Sequence, residues 1–222
     1  MLYVLILILK QNIMSTVAES VAQHLLDIKA IKLSPSEPFT WASGWKSPIY
    51  CDNRKTLSYP KVRDYIKEQF AAAIKEKYPE VEVIAGVATG AIAQGVLVAQ
   101  ELDLPFIYIR SSAKNHGLEN LIEGAYTPGQ KVVVIEDLIS TGGSSLQAVE
   151  ALRNAGCEVL GMLAIFTYGF QKAVDNFTAA NCQVDTLSNY NAMIDLAVKE
   201  GYVKPEEVEK LKAWRVSPET YK

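Results

Sequence analysis

The sequence predicts an α/β protein: an open, mainly parallel sheet with helices on both faces, plus a small N-terminal hood or flap. Three observations carry this. Short apolar runs at residues 81–87, 105–109, 132–135 and 159–166 alternate with helical segments at 91–101 and 144–154. Strands that are apolar throughout, not at every second position, are buried on both faces, as in parallel sheets. Small or polar residues follow two of these runs, Ala88-Thr89-Gly90 and Ser140-Thr141-Gly142-Gly143-Ser144. In such folds ligands sit beyond the carboxyl ends of the strands, so the loops after Val87, Ile109 and Ile135 are expected to meet on one edge.

The elements follow in order. Residues 1–13 hold the run MLYVLILILK, whose apolar stretch at 2–9 is far short of the roughly 20 residues that cross a bilayer. It lacks a basic lead-in and a small-residue cleavage site, so it is read as a non-native extension ahead of the domain, and no membrane partner is expected. A single domain is expected over 14–222, divided into a hood or flap at 14–60, an α/β core at 61–185 and C-terminal helices at 186–222. Residues 15–31 place Val17, Val21, Leu25 and Ile28 on one helical face. Residues 34–60, SPSEPFTWASGWKSPIYCDNRKTLSYP, read as turns and short strands. Residues 61–77 form a second helix on the stripe Val62, Tyr65, Ile66, Phe70 and Ile74. The βα units come next, and Gly156 is placed to end the helix at 144–154. Residues 189–214 read as two helices broken near Gly201 and Pro205.

Composition narrows the function. The 222 residues are 49% hydrophobic and 21% charged with a net charge of −3, which suits a globular protein with a full core. Mild acidity argues against a nucleic-acid partner, which calls for a basic face. Cys51, Cys157 and Cys182 form no CxxC pair and no metal cluster, and are read as small buried residues in a reducing cytoplasm. His24, on the first helix, is read as structural. Trp41 and Trp45 flank the flap turn, either over a ligand or as its anchor.

The stretch VVVIEDLISTGGSS, residues 132–145, carries the chemistry. Ile135 is expected to end the strand and leave Glu136 and Asp137 exposed at the ligand edge. Adjacent carboxylates accept hydrogen bonds from a cis-diol, such as ribose hydroxyls, or sit near a hard cation. Thr141, Gly142 and Gly143 let the backbone close on an anion, and the helix start adds free N–H groups and a positive dipole end. Ser140, Thr141 and Ser144 add hydroxyls. A diol at the acids and a monophosphate at the loop would be one ligand. A plain βα turn with Ser and Thr capping a helix is the alternative, and the acids just ahead of it speak against that. No GxxxxGK[ST] and no GxGxxG after a strand occurs, which disfavours a P-loop or dinucleotide fold.

This stretch resembles the 5-phosphoribosyl 1-diphosphate (PRPP) signature of type I phosphoribosyltransferases. Two more stretches resemble one branch, the orotate phosphoribosyltransferases. FTWASGWKSPIYCDNR, residues 39–54, is similar to their N-terminal flap, and IRSSAKNHGLENLIEG, residues 109–124, to their mobile catalytic loop with its R-x-x-x-K-x-H-G pattern. The resemblance implies transfer of 5-phosphoribosyl from PRPP to orotate, giving orotidine 5′-monophosphate and pyrophosphate, in pyrimidine (UMP) biosynthesis. It implies a PRPP set of Arg110, Lys114, His116, Glu136, Asp137, Leu138, Ile139, Ser140, Thr141, Gly142, Gly143 and Ser144, with Thr89 in a short pyrophosphate loop. Ser140, Lys46 and Arg54 are expected at orotate. Arg110, Lys114, His116 and Asp137 are expected to be catalytic.

The cations make chemical sense on a loop that closes over a departing pyrophosphate. They stabilise its developing charge and can protonate it, while closure excludes water from an oxocarbenium-like centre. The resemblance also implies Mg²⁺ held mainly through PRPP, with no direct protein ligand, and a homodimer that shares loop 110–124. Four positions depart from the enterobacterial pattern: Ala42, Ser111, Thr89 and Tyr168 stand at or near basic positions, Tyr168 where an Arg grips the orotate carboxylate. Arg54 or Lys46 is expected to replace that Arg. The alternatives are a phosphoribosyltransferase for another base and a PRPP-binding regulator without catalysis. The flap and the catalytic loop speak against the first; Arg110, Lys114 and His116, with no helix-turn-helix or basic stripe evident in the sequence, speak against the second.

Overall fold

The computed structural model describes residues 16–41, 44–112 and 121–221. A six-stranded sheet runs in the order β10-β9-β8-β5-β6-β7. Its strands are β5 (Val83–Val87), β6 (Phe106–Ile109), β7 (Ile122–Glu123), β8 (Lys131–Ile139), β9 (Glu158–Thr167) and β10 (Val184–Asn189). All neighbours are parallel except β7, which pairs antiparallel with β6. The hood consists of β1 (Ile31–Leu33) against β4 (Ile49–Cys51), and β2 (Phe39–Thr40) against β3 (Lys46–Ser47).

The apolar strands sort their side chains by parity, as a period of two demands. Ile84, Val133, Ile135, Leu163 and Ile165 enter one core, with helices α1 (Val17–Asp27), α2 (Pro60–Lys77), α3 (Ile92–Leu102) and α6 (Tyr190–Lys199). Val83, Ala85, Val132, Val134, Met162 and Ala164 enter the other, under α4 (Gly143–Asn154) and α5 (Gln171–Ala179). Phe70 is fully buried in the first core, and cutting it to Ala would cost roughly 3–5 kcal/mol.

Local chemistry sets the helix ends. Thr16 and Glu19 form a capping box that starts α1 two residues later than expected. Pro60 occupies the first turn of α2. Gly156 (φ +85°) follows α4, and the N–H groups of Gly156 and Cys157 return to the carbonyls of Arg153 and Leu152, a left-handed stop that needs glycine. At the C-terminal end α7 (Val208–Val216) follows α6 after the break at Gly201 and Pro205. Among the described residues no helix is long and apolar enough to cross a membrane.

Two expectations need correction. First, β8 does not stop at Ile135. Its pairing with β9 continues through Glu136↔Ala164, Leu138↔Phe166 and Ile139↔Thr167. The partner strand is ten residues long, so the ladder carries the acids with it. Glu136 is therefore buried at 5% exposure instead of open to solvent, and Asp137 is half-buried. Second, α5, β7 and β10 were not expected. β10 reads VDTLSN, too polar for an apolar-run criterion, because it is an edge strand.

Candidate active site

Loops from the carboxyl edge of the sheet and from the hood enclose three adjoining clefts. The central one, about 420 Å³, is lined by Asp52, Arg54, Thr89, Gly90, Glu136 and Asp137, among others. Cys51 and Leu138 pass from it into a second cleft of about 290 Å³, walled by Trp41, Tyr50, Ser140 and Tyr168. Val87, Ala88 and Ser144 pass into a third of about 320 Å³ that holds Arg110 and Ser111. The loops after β5, β6 and β8 thus meet on one edge.

The two acids are held differently. Glu136 Oε2 accepts from Ser145 Oγ at 2.8 Å, and Oε1 from the Asp137 N–H at 2.9 Å. Burial first, and the neighbouring Asp137 charge second, push the Glu136 carboxyl up to about 8. Asp137 packs its carboxylate against Gly90, where any β-carbon would overlap it. Glycine there lets the loop after β5 lie directly on the acid. The Ala88–Thr89 peptide within that loop is cis.

The loop from Ser140 to Ser144 turns at Gly142, whose φ is +80°. A β-carbon there would also strike the Phe177 ring at 2.6 Å, whereas one on Gly143 meets nothing within 4 Å. Asn176 Nδ2 donates to the Thr141 carbonyl at 2.9 Å and braces the turn from α5. No side chain caps the start of α4, so its first N–H groups face the cleft edge without a side-chain acceptor. Ser144 and Gly143 are exposed, Ser140 and Thr141 half-buried. Ile139 differs from its neighbours: its side chain is 2% exposed in the second core, and its carbonyl accepts from the Tyr168 N–H at 3.1 Å.

The cations are dispersed. Arg110 lies at the base of the catalytic-loop segment, its guanidinium 3.5 Å from Glu123 Oε1 on β7. Lys114 and His116 lie outside the described residues, as do Ala42 and Ser43. Arg54 pairs with Asp52 at 2.7 Å, a hydrogen bond that raises the guanidinium further above its usual range. The Lys46 ammonium donates to Thr40 Oγ1 at 2.7 Å, and Thr40 lines the Tyr168 cleft. Thr89 is exposed beside Asp137 in the central cleft.

Aromatic packing builds the wall of the second cleft. Tyr168 is 3% exposed, stacks on Phe170 at 5.4 Å and meets Trp41 at 5.1 Å and Trp214 at 5.6 Å. The Trp41 indole N–H donates to the Ile49 carbonyl at 3.1 Å, so this residue both anchors the flap and lines the cleft. Trp214 Nε1 donates to the Lys46 carbonyl at 3.3 Å and ties α7 to the hood. His24 packs edge-on to Tyr65, away from these clefts. Sequence reasoning missed Tyr50, Cys51, Asp52 and Asn53 as cleft and support residues. The only local signal was their position in the flap stretch at residues 39–54.

Known proteins share this fold. A family model described as a phosphoribosyl transferase domain matches residues 54–200. An orotate phosphoribosyltransferase of Porphyromonas gingivalis is 61% identical over 208 residues, 94% of this chain and 99% of its own length. One from Listeria innocua is 55% identical over 206 residues, 93% and 99% of the two chains. The crystal structure of orotate phosphoribosyltransferase from Aeropyrum pernix has the same fold, with a TM-score of 0.72 and 24% identity over 82% of this chain and 99% of that one. With a mainly parallel six-stranded sheet, acids and a small-residue loop at its carboxyl edge, and relatives matched along nearly their whole length, the chain belongs to the orotate phosphoribosyltransferases of the type I phosphoribosyltransferase fold.

Proposed function

We propose a division of labour within the three clefts for the reaction of this family, a pentosyl transfer. PRPP gives its 5-phosphoribosyl group to orotate, and pyrophosphate leaves. The ribose hydroxyls donate to Asp137 and Glu136 in the central cleft. The 5-phosphate sits on the loop Ser140 to Ser144, with its N–H groups and hydroxyls. Pyrophosphate faces Ala88-Thr89-Gly90 and Arg110. The base enters the cleft of Trp41, Tyr50 and Tyr168 beside Ser140. The continuity of the clefts carries this reading, because Cys51 and Leu138 line the base and sugar sides alike. The C1–O bond to pyrophosphate breaks with its electron pair on the leaving oxygen. Orotate N1 bonds to C1 and releases its proton. Lys114 and His116, on loop 110–124, are assigned to the departing pyrophosphate by their place in the R-x-x-x-K-x-H-G pattern.

Mg²⁺ is the proposed cofactor, held mainly through PRPP oxygens. The donors fit it: Asp137 and Asp52 bring carboxylates to the central cleft and Glu136 adds further oxygen atoms, the oxygen-rich lining that a hard cation favours. When bound, it neutralises charge on the pyrophosphate. A second copy of the chain is the proposed partner, sharing loop 110–124, and full activity in a sedimenting monomer would refute this. The three cysteines are unpaired, which supports a cytoplasmic location.

For the orotate carboxylate the geometry favours Lys46 over Arg54. Lys46 needs only to release Thr40, which lines the base cleft, whereas Arg54 opens on the sugar cleft and is held by Asp52. Lys46→Ala is expected to raise the KM for orotate roughly tenfold or more, the scale of one hydrogen bond to a charged group. An unchanged KM removes the assignment. Calorimetry with PRPP and Mg²⁺ tests the sugar site. Asp137→Asn weakens binding if the site is as assigned, and unaltered affinity refutes it.

A further inference from the structure

The placement of Asp137 has its own support. β5 pairs with β8 only as far as Gly86↔Ile135, so beyond that point β8 lacks a strand neighbour on that side. Asp137 lies in this stretch, and side chains serve both of its main-chain groups. Its N–H donates to Glu136 Oε1 at 2.9 Å, and its carbonyl accepts from Asn53 Nδ2 at 2.6 Å. Asn53 is 1% exposed and has no place in the substrate contacts above. Its Oδ1 accepts from the Cys51 thiol at 3.2 Å, and its main-chain carbonyl from the Thr56 hydroxyl at 2.7 Å. Thr56 Oγ1 in turn accepts from Gln94 Nε2 at 3.3 Å. Gln94 is on α3, the helix that follows the loop after β5. The Asn53 side-chain amide therefore joins the base-cleft wall to the acid strand, and its main-chain carbonyl reaches the pyrophosphate-side helix through Thr56.

We propose that Asn53 is a positioning residue for PRPP binding. By holding the Asp137 carbonyl it fixes the carboxylate relative to the sugar, and it ties that position to the hood. This rests on the reading of Asp137 as a sugar-binding acid. Without Asn53, a main-chain carbonyl in an unladdered stretch loses its donor. The residues around it shift to find another partner, and hydrogen bonds from ribose to the carboxylate weaken steeply with distance and angle. A structural clip between hood and core would instead affect stability and binding independently of Asp137.

A double-mutant cycle separates the two. The readout is the dissociation constant of PRPP with Mg²⁺, measured by calorimetry on the full chain without base. Asn53→Ala is expected to weaken PRPP about tenfold, the scale of one hydrogen bond. In the Asp137→Asn background the same change is expected to cost almost nothing further. Additive losses, or unchanged affinity in Asn53→Ala, would overturn the proposal. Unchanged affinity in Asp137→Asn alone would instead show that the sugar-site reading has failed. If Asn53→Ala does not fold, Cys51→Ala removes the thiol that orients the Asn53 amide, and Cys51→Ser restores a donor. PRPP affinity is expected to fall about threefold in the first and recover in the second, a fraction of one hydrogen bond. Equal affinity in both overturns the proposal.

Discussion

Glu136→Gln tests the electrostatics of the cleft with no ligand present. Glu136 is nearly buried beside Asp137, and burial together with that charge moves its carboxyl from 4.5 to about 8. The folded chain therefore keeps a proton that the unfolded chain releases near pH 4.5. By linkage, the resulting stabilisation is full below the unfolded value and is lost as pH rises to about 8. The slope between those limits is at most about 1.4 kcal/mol per pH unit. From about pH 5.5 to about pH 7.5 the loss is then about 2–3 kcal/mol. Glutamine fills the same space and does not titrate. In urea unfolding of the unliganded protein, wild type is expected to lose stability relative to Glu136→Gln across this range, with a constant difference above about pH 8. Parallel pH profiles for the two proteins would refute the reasoning.

Two other substitutions probe the loops. Gly142→Ala forces a side chain into a positive-φ position against the Phe177 ring, and is expected to cost roughly 1–3 kcal/mol. Gly143→Ala faces open space and is expected to stay within about 1 kcal/mol, the usual helix-start range. Equal losses in chemical denaturation would show that the turn geometry is wrong. Lys114→Ala is expected to lower kcat about a hundredfold or more with PRPP binding retained, as for loss of one group that stabilises transition-state charge. Full activity would discard the closing-loop mechanism.

What the sequence made legible was local and periodic. The parallel core could be read because residues 83–87, 132–135 and 162–166 are apolar on both parities, which only a sheet covered on both faces requires. The acid pair and the small loop could be read because one continuous stretch carries them. The strand end could not. Glu136 and Asp137 look like solvent-facing residues, and only pairing with a longer β9 shows that they continue the ladder. Asn53 could not be read as a support of Asp137 either, since the two are 84 residues apart and the contact leaves no periodic trace. The same holds for the base-cleft wall. Trp41, Tyr168 and Trp214 come from the flap, the end of β9 and α7, and only tertiary packing brings them together. Tyr168 at the position of a basic residue looked like a lost contact in sequence, and in the fold it is the centre of an aromatic wall.

The central claim is that these clefts form one site for PRPP and orotate. Base selectivity tests it most directly. The protein is mixed with PRPP and Mg²⁺, orotate, uracil, hypoxanthine and adenine are offered separately, and PRPP-dependent loss of each base is followed. Loss of orotate alone, with pyrophosphate released in equal amount, is the expected result. Turnover of uracil or a purine, or PRPP binding with no base consumed, would contradict the account.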